Sequence, residues 1–317
     1  MRVVFMGTPE YAARSLAALL AHGYDVAGVF TQPDRPKGRG GKVAMSPVKE
    51  MALERGIPVF QPRRIRLEGA EDLRGLSPDV CVTAAFGQIL SQEILDVPRL
   101  GTVNVHASLL PKYRGSSPVQ WALIMGETHT GVTTMMTDRG IDTGDVLLRE
   151  GTDILPGETA GELALRLADL GAALLIRTLR LLEAGECPRE PQDERDATYY
   201  PMLRKDHGAV DWGRPARDIA NLVRGTNPWP GAYAESPWGT LKILEARAEN
   251  GGSRGTPGAI LVAGRPGALN IATGDGTLSI QTLQAPGGRA MPAGDFLRGH
   301  PIPQGATMRN GEKTDDR

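Results

Sequence analysis

The sequence predicts two domains, an α/β domain with a doubly wound, mostly parallel sheet followed by a small β-barrel. In the first half, short apolar runs such as RVVFM and DVCVTAAF alternate with segments of helical periodicity, and this alternation is typical of a parallel sheet. In the last third, short β-like runs are separated by Gly and Pro, as in small barrels and sandwiches. A chain of 317 residues with 40% hydrophobic residues is long enough to bury two cores.

The elements of the first domain follow from its apolar pattern in chain order. The strand RVVFM precedes a helix that begins at Pro9, and VAGVF is the second strand. Ser46 and Pro47 fit the N-cap and first position of another helix. Further strands are DVCVTAAF, GTVNVH, TGVTTMMTD and DVLLRE, and leucines at helical spacing predict a helix over about 159–183. We assign this domain to residues 1–184.

The pattern changes twice after this helix. Residues 185–205 contain Gly, Pro and charge without periodicity, so we predict a linker and expect the domain before Lys205 to fold alone. The runs GTLKILEARAE, GAILVAG, ALNIATG and LSIQTLQA predict a β-barrel of OB-like type at residues 206–300. We expect residues 301–317 to form a flexible tail.

Composition argues against several classes of protein. A net charge of −1 argues against general coating of nucleic acid, although the run from Asp34 to Lys42 is strongly basic. Cys81 and Cys187 lie in no CxxC motif, so neither a metal site nor a disulfide framework is indicated, and a reducing cytoplasm is expected. We expect no membrane partner, because no apolar run approaches 18 residues and the N-terminus lacks a signal-peptide pattern.

The stretch NVHASLLPKYRG places polar groups at the end of a predicted strand. Asn104 and His106 are two residues apart, so they share one face at the carboxyl end, where parallel sheets bind ligands. A second loop, DRGIDTGD, brackets Asp142 with glycines that allow a tight turn. An amide and an imidazolium can stabilise a developing oxyanion, and a carboxylate can orient the imidazole, a set that suits acyl transfer. Each residue also fits a structural role, so spacing alone leaves both interpretations open.

Longer motifs carry a resemblance to a known family. NVHASLLPKYRGSSPVQWA followed by DRGIDTGD closely resembles the formyltransferases that use 10-formyltetrahydrofolate, whose catalytic domain is Rossmann-like. FMGTPEYAARSL, GVFTQPDRPKGRGGK, AFGQIL, QDERDATYY and NPWPGAYA extend the resemblance, over nearly the whole chain, to the methionyl-tRNA formyltransferases. The resemblance implies transfer of the formyl group of 10-formyltetrahydrofolate to the α-amino group of initiator methionyl-tRNA, without a metal.

The same resemblance assigns site residues. The family's catalytic Asn, His and Asp fall on Asn104, His106 and Asp142. Folate binding is implied for the SLLP and AFGQIL segments, namely Ser108, Leu109, Leu110, Pro111, Phe86, Gly87, Gln88 and Ile89. The basic loop is where the family engages the acceptor end of tRNA, which implies contacts from Arg35, Lys37, Arg39 and Lys42.

Two positions at or after the predicted linker need separate interpretation. The family generally has a lysine where this chain has Met202, so any contact made by that lysine has no counterpart here. Trp229 in NPWP could pack in a core or contact a ligand, and we favour packing because Trp fills small cores well. We expect the protein to be a monomer.

Three other functions remain as alternatives. An enzyme that formylates a sugar nucleotide or a ribonucleotide would need neither the basic loop nor the β domain. A dehydrogenase or nucleotide-binding module is suggested by FMGTPEYA, but Gly7 stands alone where the dinucleotide fingerprint has three glycines. A tRNA-binding protein without enzymatic activity would leave Asn104, His106 and Asp142 without a role.

Overall fold

The computed structural model describes residues 1–37, 42–249, 251, 255–261, 267–303 and 305–312. The chain divides into two units. The first contains Met1–Pro118, His129–Asp153 and Ala164–Pro201, and the second contains Val119–Thr128, Ile154–Leu163 and Met202–Arg317. Two short segments from the first half of the sequence therefore belong to the second unit.

The first unit is built on a seven-stranded sheet. Its strands, with a separate two-stranded ribbon formed by β3 and β4, are β1 (Arg2–Gly7), β2 (Asp25–Phe30), β3 (Arg35–Lys37), β4 (Lys42–Ala44), β5 (Val59–Phe60), β6 (Val80–Ala84), β7 (Thr102–His106), β8 (His129–Met136) and β9 (Val146–Asp153). The strand order is β5-β2-β1-β6-β7-β8-β9. The strands from β5 to β7 run parallel, and β8 and β9 pair in antiparallel fashion. The predicted doubly wound, mostly parallel sheet is confirmed.

The helices connect and cover these strands. They are α1 (Glu10–Ala21), α2 (Pro47–Glu54), α3 (Ile65–Glu68), α4 (Ala70–Leu76), α5 (Gln92–Leu95), α6 (Pro118–Ile124), α7 (Ala160–Ala184), α8 (Ala216–Gly225) and α9 (Ala293–Gly299). The predicted N-cap of α2 is confirmed, because the Ser46 hydroxyl accepts a hydrogen bond from the Lys49 N–H at 3.1 Å. The predicted helix over about 159–183 corresponds to α7.

The centre of the sheet explains why its strands are continuous apolar runs. Every residue of β1 after Arg2 is buried, and so is every residue of β6. A central strand of a doubly wound sheet is covered by helices on both faces, so it gains from apolar residues at every position. α1 supplies Leu16 and Leu19, both 0% exposed, to this covering layer. This packing holds the carboxyl ends of β6 and β7 side by side.

The second unit contains an antiparallel sheet covered by α8 and α9. Its strands are β10 (Ala232–Ser236), β11 (Gly239–Glu249), β12 (Ile260–Leu261), β13 (Leu269–Ala272), β14 (Thr277–Gln284) and β15 (Ala290–Pro292). The pairing path is β10-β11-β14-β13-β12, and β15 pairs with β14. Trp212, Ile219 and Phe296, each 1% exposed, share one core with the inner faces of these strands. The predicted C-terminal β domain is confirmed as an antiparallel half-barrel.

The C-terminal segment corrects the prediction of a flexible tail. Thr307 forms a β-bridge with Ala259, next to β12, and Arg309 forms one with Glu235 in β10. The segment thus lies between the two ends of the pairing path. Met308, at its centre, is only 3% exposed and belongs to the core. The sequence gave no periodicity here because a three-residue contribution to a barrel wall is too short to show one.

The predicted linker also differs from its expected form. Residues 185–201 belong to the first unit, where Glu190 pairs with Val146 through backbone hydrogen bonds of 2.8 and 2.9 Å. The Glu190 carboxylate accepts two hydrogen bonds from the Arg149 guanidinium, at 2.8 and 3.1 Å. We name residues 190–200 the strap, because they lie across the loops that follow β7 and β8.

Both cysteines are free thiols. Cys81 is buried in β6, and burial raises the pKa of its thiol to about 12, which keeps it protonated and unreactive. Burial also raises the pKa of the Cys187 thiol. Within the described ranges, no helix is long and apolar enough to cross a membrane.

Candidate active site

The three residues singled out by the sequence meet at the carboxyl end of β7. Asn104 Nδ2 lies 3.4 Å from Asp142 Oδ1, and His106 Nδ1 lies 3.6 Å from the same oxygen. The His106 side chain is 6% exposed and that of Asp142 is 17% exposed. Period-2 geometry places Asn104 and His106 on one face, as predicted, and the loop after β8 brings the carboxylate to them. An amide, an imidazole and a carboxylate therefore converge in a largely enclosed site.

A threonine on the neighbouring strand fixes the orientation of the Asn104 amide. Thr83, on β6, donates a hydrogen bond from Oγ1 to Asn104 Oδ1 at 2.9 Å. Because a hydroxyl hydrogen must meet the amide oxygen, Nδ2 is turned towards Asp142 and is free to donate. Sequence reasoning missed Thr83, although its register opposite Asn104 in the β6–β7 pair is the signal that could have identified it.

His106 is held by a backbone carbonyl. Its Nε2 lies 3.0 Å from the Tyr113 carbonyl oxygen, and since a carbonyl only accepts, Nε2 carries the hydrogen. The other nitrogen, Nδ1, faces Asp142 and is the position at which the ring takes up a second proton. Tyr113 is set by its own φ of 59°, in the left-handed region, and by a hydrogen bond from its N–H to Thr198 Oγ1 at 2.8 Å.

The Asp142 loop combines an unusual backbone with close approaches. Asp142 itself has a φ of 55°, in the left-handed region that residues other than glycine seldom adopt. Its Oδ2 accepts a hydrogen bond from the Gly115 N–H at 2.8 Å. Gly115 has no room for a side chain, because a Cβ there would collide with the Tyr200 carbonyl oxygen, and one on Gly144 would collide with the carbonyl oxygen of Met136. The glycines of both motifs therefore allow the loops to approach each other.

The SLLP segment forms a compact turn with mostly interior side chains. Ser108 is 0% exposed and donates to the Lys112 carbonyl at 2.6 Å. Leu110 is 2% exposed, while Leu109 and Pro111 are partly exposed. The hydroxyl of Ser108 is thus used inside the turn, and the surface that this segment offers comes from Leu109 and Pro111.

The AFGQIL segment divides between core and surface. Phe86 is 4% exposed and belongs to the core of the sheet, whereas Ile89 is 69% exposed. Gly87 is exposed with a φ of 75°, so its backbone lies at the surface. Gln88 uses its amide within the protein, accepting from the Ile65 N–H at 2.7 Å and donating to the Pro62 carbonyl at 3.0 Å.

The basic segment begins and ends in the ribbon of β3 and β4. Arg35 is exposed and pairs with Ala44 across the ribbon, and Lys37 pairs with Lys42. Arg39 lies outside the described residues. Asp34, the one acidic residue of this segment, is engaged by Lys49, and the side-chain hydrogen bonds from Lys49 and Gln61 hold the pKa of its carboxyl below the ordinary value. The acid of the segment is therefore already compensated.

A cavity of about 530 Å³ lies beside this ribbon. It is lined by the loops that follow β1, β2 and β6, including Thr8, Gln32 and Gly87, and by Arg35 and Arg63. Carboxyl ends of strands at the centre of such a sheet are where ligands bind. The cavity thus joins part of the predicted folate segment to part of the predicted tRNA-binding segment.

The second unit places Trp229 differently from the prediction. Packing was favoured, but Trp229 is 54% exposed and Trp212, at 1% exposure, is the tryptophan that fills the core. The loop around Trp229 is held by Asn227, which donates to the Leu244 carbonyl at 2.9 Å and accepts from the Gly161 N–H at 3.1 Å. Met202 is 66% exposed. In the part of the chain that the structure describes, no group of three or more His, Cys, Asp or Glu side chains could hold a metal ion.

Comparison with known proteins gives a consistent result. The family described as "Formyl transferase" matches residues 1–179, and "Formyl transferase, C-terminal domain" matches residues 202–301. The chain is 49% identical to the methionyl-tRNA formyltransferase of Geotalea uraniireducens over 97% of this chain and 98% of that one. It is also 49% identical to that of Citrifermentans bemidjiense, over 97% of this chain and 96% of that one.

Solved structures share the fold at lower identity. WlaRD, a sugar 3N-formyl transferase crystallised with dTDP and 5-N-formyl-THF, superposes with a TM-score of 0.66 at 19% identity, covering 88% of this chain and 96% of that one. HypX from Aquifex aeolicus, in complex with tetrahydrofolic acid, gives a TM-score of 0.63 at 20% identity, covering 94% of this chain and 47% of that one.

Proposed function

The chain belongs to the formyl transferase family, and from this premise we propose that it transfers the formyl group of 10-formyltetrahydrofolate to the α-amino group of initiator methionyl-tRNA. The observation that carries the proposal is similarity along nearly the whole chain to enzymes named methionyl-tRNA formyltransferase. The convergence of Asn104, His106 and Asp142 supplies a site that suits this chemistry.

The donor groups of the site fit a formyl group. Asn104 Nδ2 and His106 Nδ1 lie 3.4 and 3.6 Å from one oxygen atom, Asp142 Oδ1. Two nitrogens that can both reach a single oxygen have the spacing needed to stabilise one developing oxyanion. When bound, the folate supplies an activated formyl group for transfer to a nucleophile.

Each residue has a distinct part in the proposed reaction. The Asn104 amide donates to the formyl oxygen as negative charge develops on it, and Thr83 keeps the amide in that orientation. His106, protonated at Nδ1, donates a second hydrogen bond, and the Asp142 carboxylate stabilises that cation. The attacking amine loses a proton and the leaving nitrogen gains one, and the pair of Asp142 and His106 is placed to carry it, directly or through a water.

We assign the acceptor end of the tRNA to the basic segment. Arg35, Lys37, Arg39 and Lys42 carry four positive charges within eight positions, and the nearby acid is engaged by Lys49. Phosphate contacts of this kind supply affinity and orientation without reading sequence. The segment would hold the acceptor strand beside the cavity at the carboxyl edge of the sheet.

The test is a formylation assay with purified protein, charged initiator tRNA and 10-formyltetrahydrofolate. N-formylmethionyl-tRNA should form, and elongator methionyl-tRNA should be a poorer substrate. A dTDP-amino sugar in a parallel reaction tests the sugar-formylating alternative. Formylation of the sugar with no product on tRNA from a folded, folate-binding protein would reject the proposal.

We further infer that the enzyme acts as a cytoplasmic monomer. Both cysteines are free thiols, in keeping with a reducing compartment. Sedimentation equilibrium at micromolar concentration should give the mass of a single 33.9 kDa chain, and a stable dimer would contradict this inference.

A further inference from the structure

A buried arginine links the strap to the loop after β7. The Arg114 side chain is 0% exposed, and its Nη1 donates to Glu194 Oε1 and Oε2 at 2.9 and 3.0 Å and to the Tyr199 hydroxyl. Its Nε donates to Gln192 Oε1 at 3.0 Å, and its backbone N–H donates to the Thr198 carbonyl at 2.9 Å. Each of these hydrogen-bond partners belongs to the strap.

This arrangement is not what packing alone would favour. Among the described atoms, Arg114 Nη2 is buried with no hydrogen-bond partner, and the Glu194 carboxylate is 68% exposed, so water weakens the ion pair. A buried charge with an unpaired N–H is costly, and apolar side chains could hold the strap without that cost. The geometry of Gln192 shows what the charged group achieves.

Gln192 passes the orientation of Arg114 on to the Asp142 loop. Because its Oε1 accepts from Arg114, its amide nitrogen must face the other way. That nitrogen, Nε2, donates to the carbonyl oxygens of Asp142 and Gly144, both at 2.8 Å. These two hydrogen bonds hold the loop where Asp142 has its left-handed φ of 55°. From this backbone the carboxylate reaches His106 and the Gly115 N–H.

We propose that Gln192, oriented by Arg114, is a positioning residue that keeps the Asp142 carboxylate against His106 during formyl transfer. The proposal rests on the proposed function, since it assigns a part in that reaction. It gives the predicted linker a role in the catalytic site, although Gln192 is 50 residues from Asp142 in sequence. The charged group recorded against the His106 ring, in the part of the chain that the structure describes, is Asp142.

The test compares Gln192→Leu with a matched strap variant, Glu190→Ala. Gln192→Leu removes both N–H donors and keeps an interior side chain of similar size. Glu190→Ala removes another strap contact, the ion pair with Arg149, without touching the Asp142 loop. For each folded variant, the single-turnover formylation rate, the KM for methionyl-tRNA and the pH–rate profile are measured.

We expect Gln192→Leu to lower the single-turnover rate by roughly 10- to 100-fold, as a small misplacement of a catalytic group can, with little change in KM for tRNA. The alkaline fall of its pH–rate profile should move to lower pH, because a displaced carboxylate no longer favours the protonated imidazole. Glu190→Ala should keep the wild-type rate and profile.

Other outcomes separate the possible failures. A wild-type protein that forms no product rejects the proposed function itself. With active wild type, an unchanged rate and profile in Gln192→Leu overturn the positioning role, as does an equal loss of rate in both variants with an unchanged profile. If Gln192→Leu does not fold, Gln192→Glu decides, because it keeps the acceptor for Arg114 and lacks the two donors.

Discussion

The replacement of Asn104 by Ala tests the proposed oxyanion donor, and the structure sets the size of its effect. Asn104 Nδ2 is directed towards Asp142 Oδ1 at 3.4 Å because Thr83 holds the amide oxygen. Loss of one such preorganised donor typically lowers the rate by about 10²- to 10³-fold, or about 2.7 to 4 kcal/mol of transition-state stabilisation. Folding should suffer less, since the Thr83 hydroxyl keeps the Val103 carbonyl as an acceptor at 3.5 Å and the loss is at most about 1 to 3 kcal/mol.

The assay is single-turnover formylation of charged initiator tRNA at saturating donor, with urea unfolding of the same preparation. Thr83→Val is the matched control, because it keeps the amide but releases its orientation, and its rate should fall less than that of Asn104→Ala. Affinity for tRNA should be unchanged in both. A near-wild-type single-turnover rate for Asn104→Ala would remove this residue from the mechanism, and a rate loss fully explained by unfolded protein would make it structural.

Three further changes test other parts of the molecule. Asp142→Asn keeps the shape of the side chain but removes the charge facing His106, so the rate should fall severely and its pH dependence should change; a wild-type pH–rate profile would make Asp142 structural. Arg39→Ala should weaken tRNA binding and reduce the slope of log affinity against log salt by about 0.7 to 0.9, with folate affinity unchanged; collapse of folate affinity with an unchanged slope would place the basic loop in the donor pocket. Met308→Ala should lower the free energy of unfolding by about 2 to 5 kcal/mol in urea titrations followed by Trp fluorescence, whereas removal of residues 313–317 should leave it unchanged; equal stability of Met308→Ala and wild type would restore the idea of a flexible tail.

The sequence predicts those parts of the fold whose signal is local. β1 and β6 are buried on both faces, so they appear as unbroken apolar runs, and α7 is long enough for its leucines to show a helical period. Met308 has no such signal. Its burial depends on bridges from Thr307 and Arg309 to strands that lie about fifty and seventy residues earlier in the chain, and pairing at such distance leaves no pattern in the segment itself.

The candidate site divides in the same way. Asn104 and His106 could be placed on one face because strand geometry has a period of two, and Asp142 could be chosen by its glycine-flanked loop and by family resemblance. Thr83 and Gln192 could not be chosen, since each acts through one hydrogen bond or two to a partner set by the fold. The Tyr113 carbonyl that holds His106 is beyond sequence reasoning in principle, because every residue type has a carbonyl.

The boundary between the two units follows packing and not the order of the chain. Segment 119–128 belongs to the second unit, where a Cβ on Gly225 would lie 2.7 Å from Ile124 Cγ1, so that glycine is what allows α6 to approach α8. In the same unit the Gly161 N–H donates to the Asn227 carbonyl at 3.1 Å. A fragment ending at residue 205 would keep Ile124 and Gly161 but lose the helix and loop on which they pack. The change in composition near residue 185 therefore marks where the regular helical pattern stops, and it does not mark a point at which the protein can be cut into independent parts.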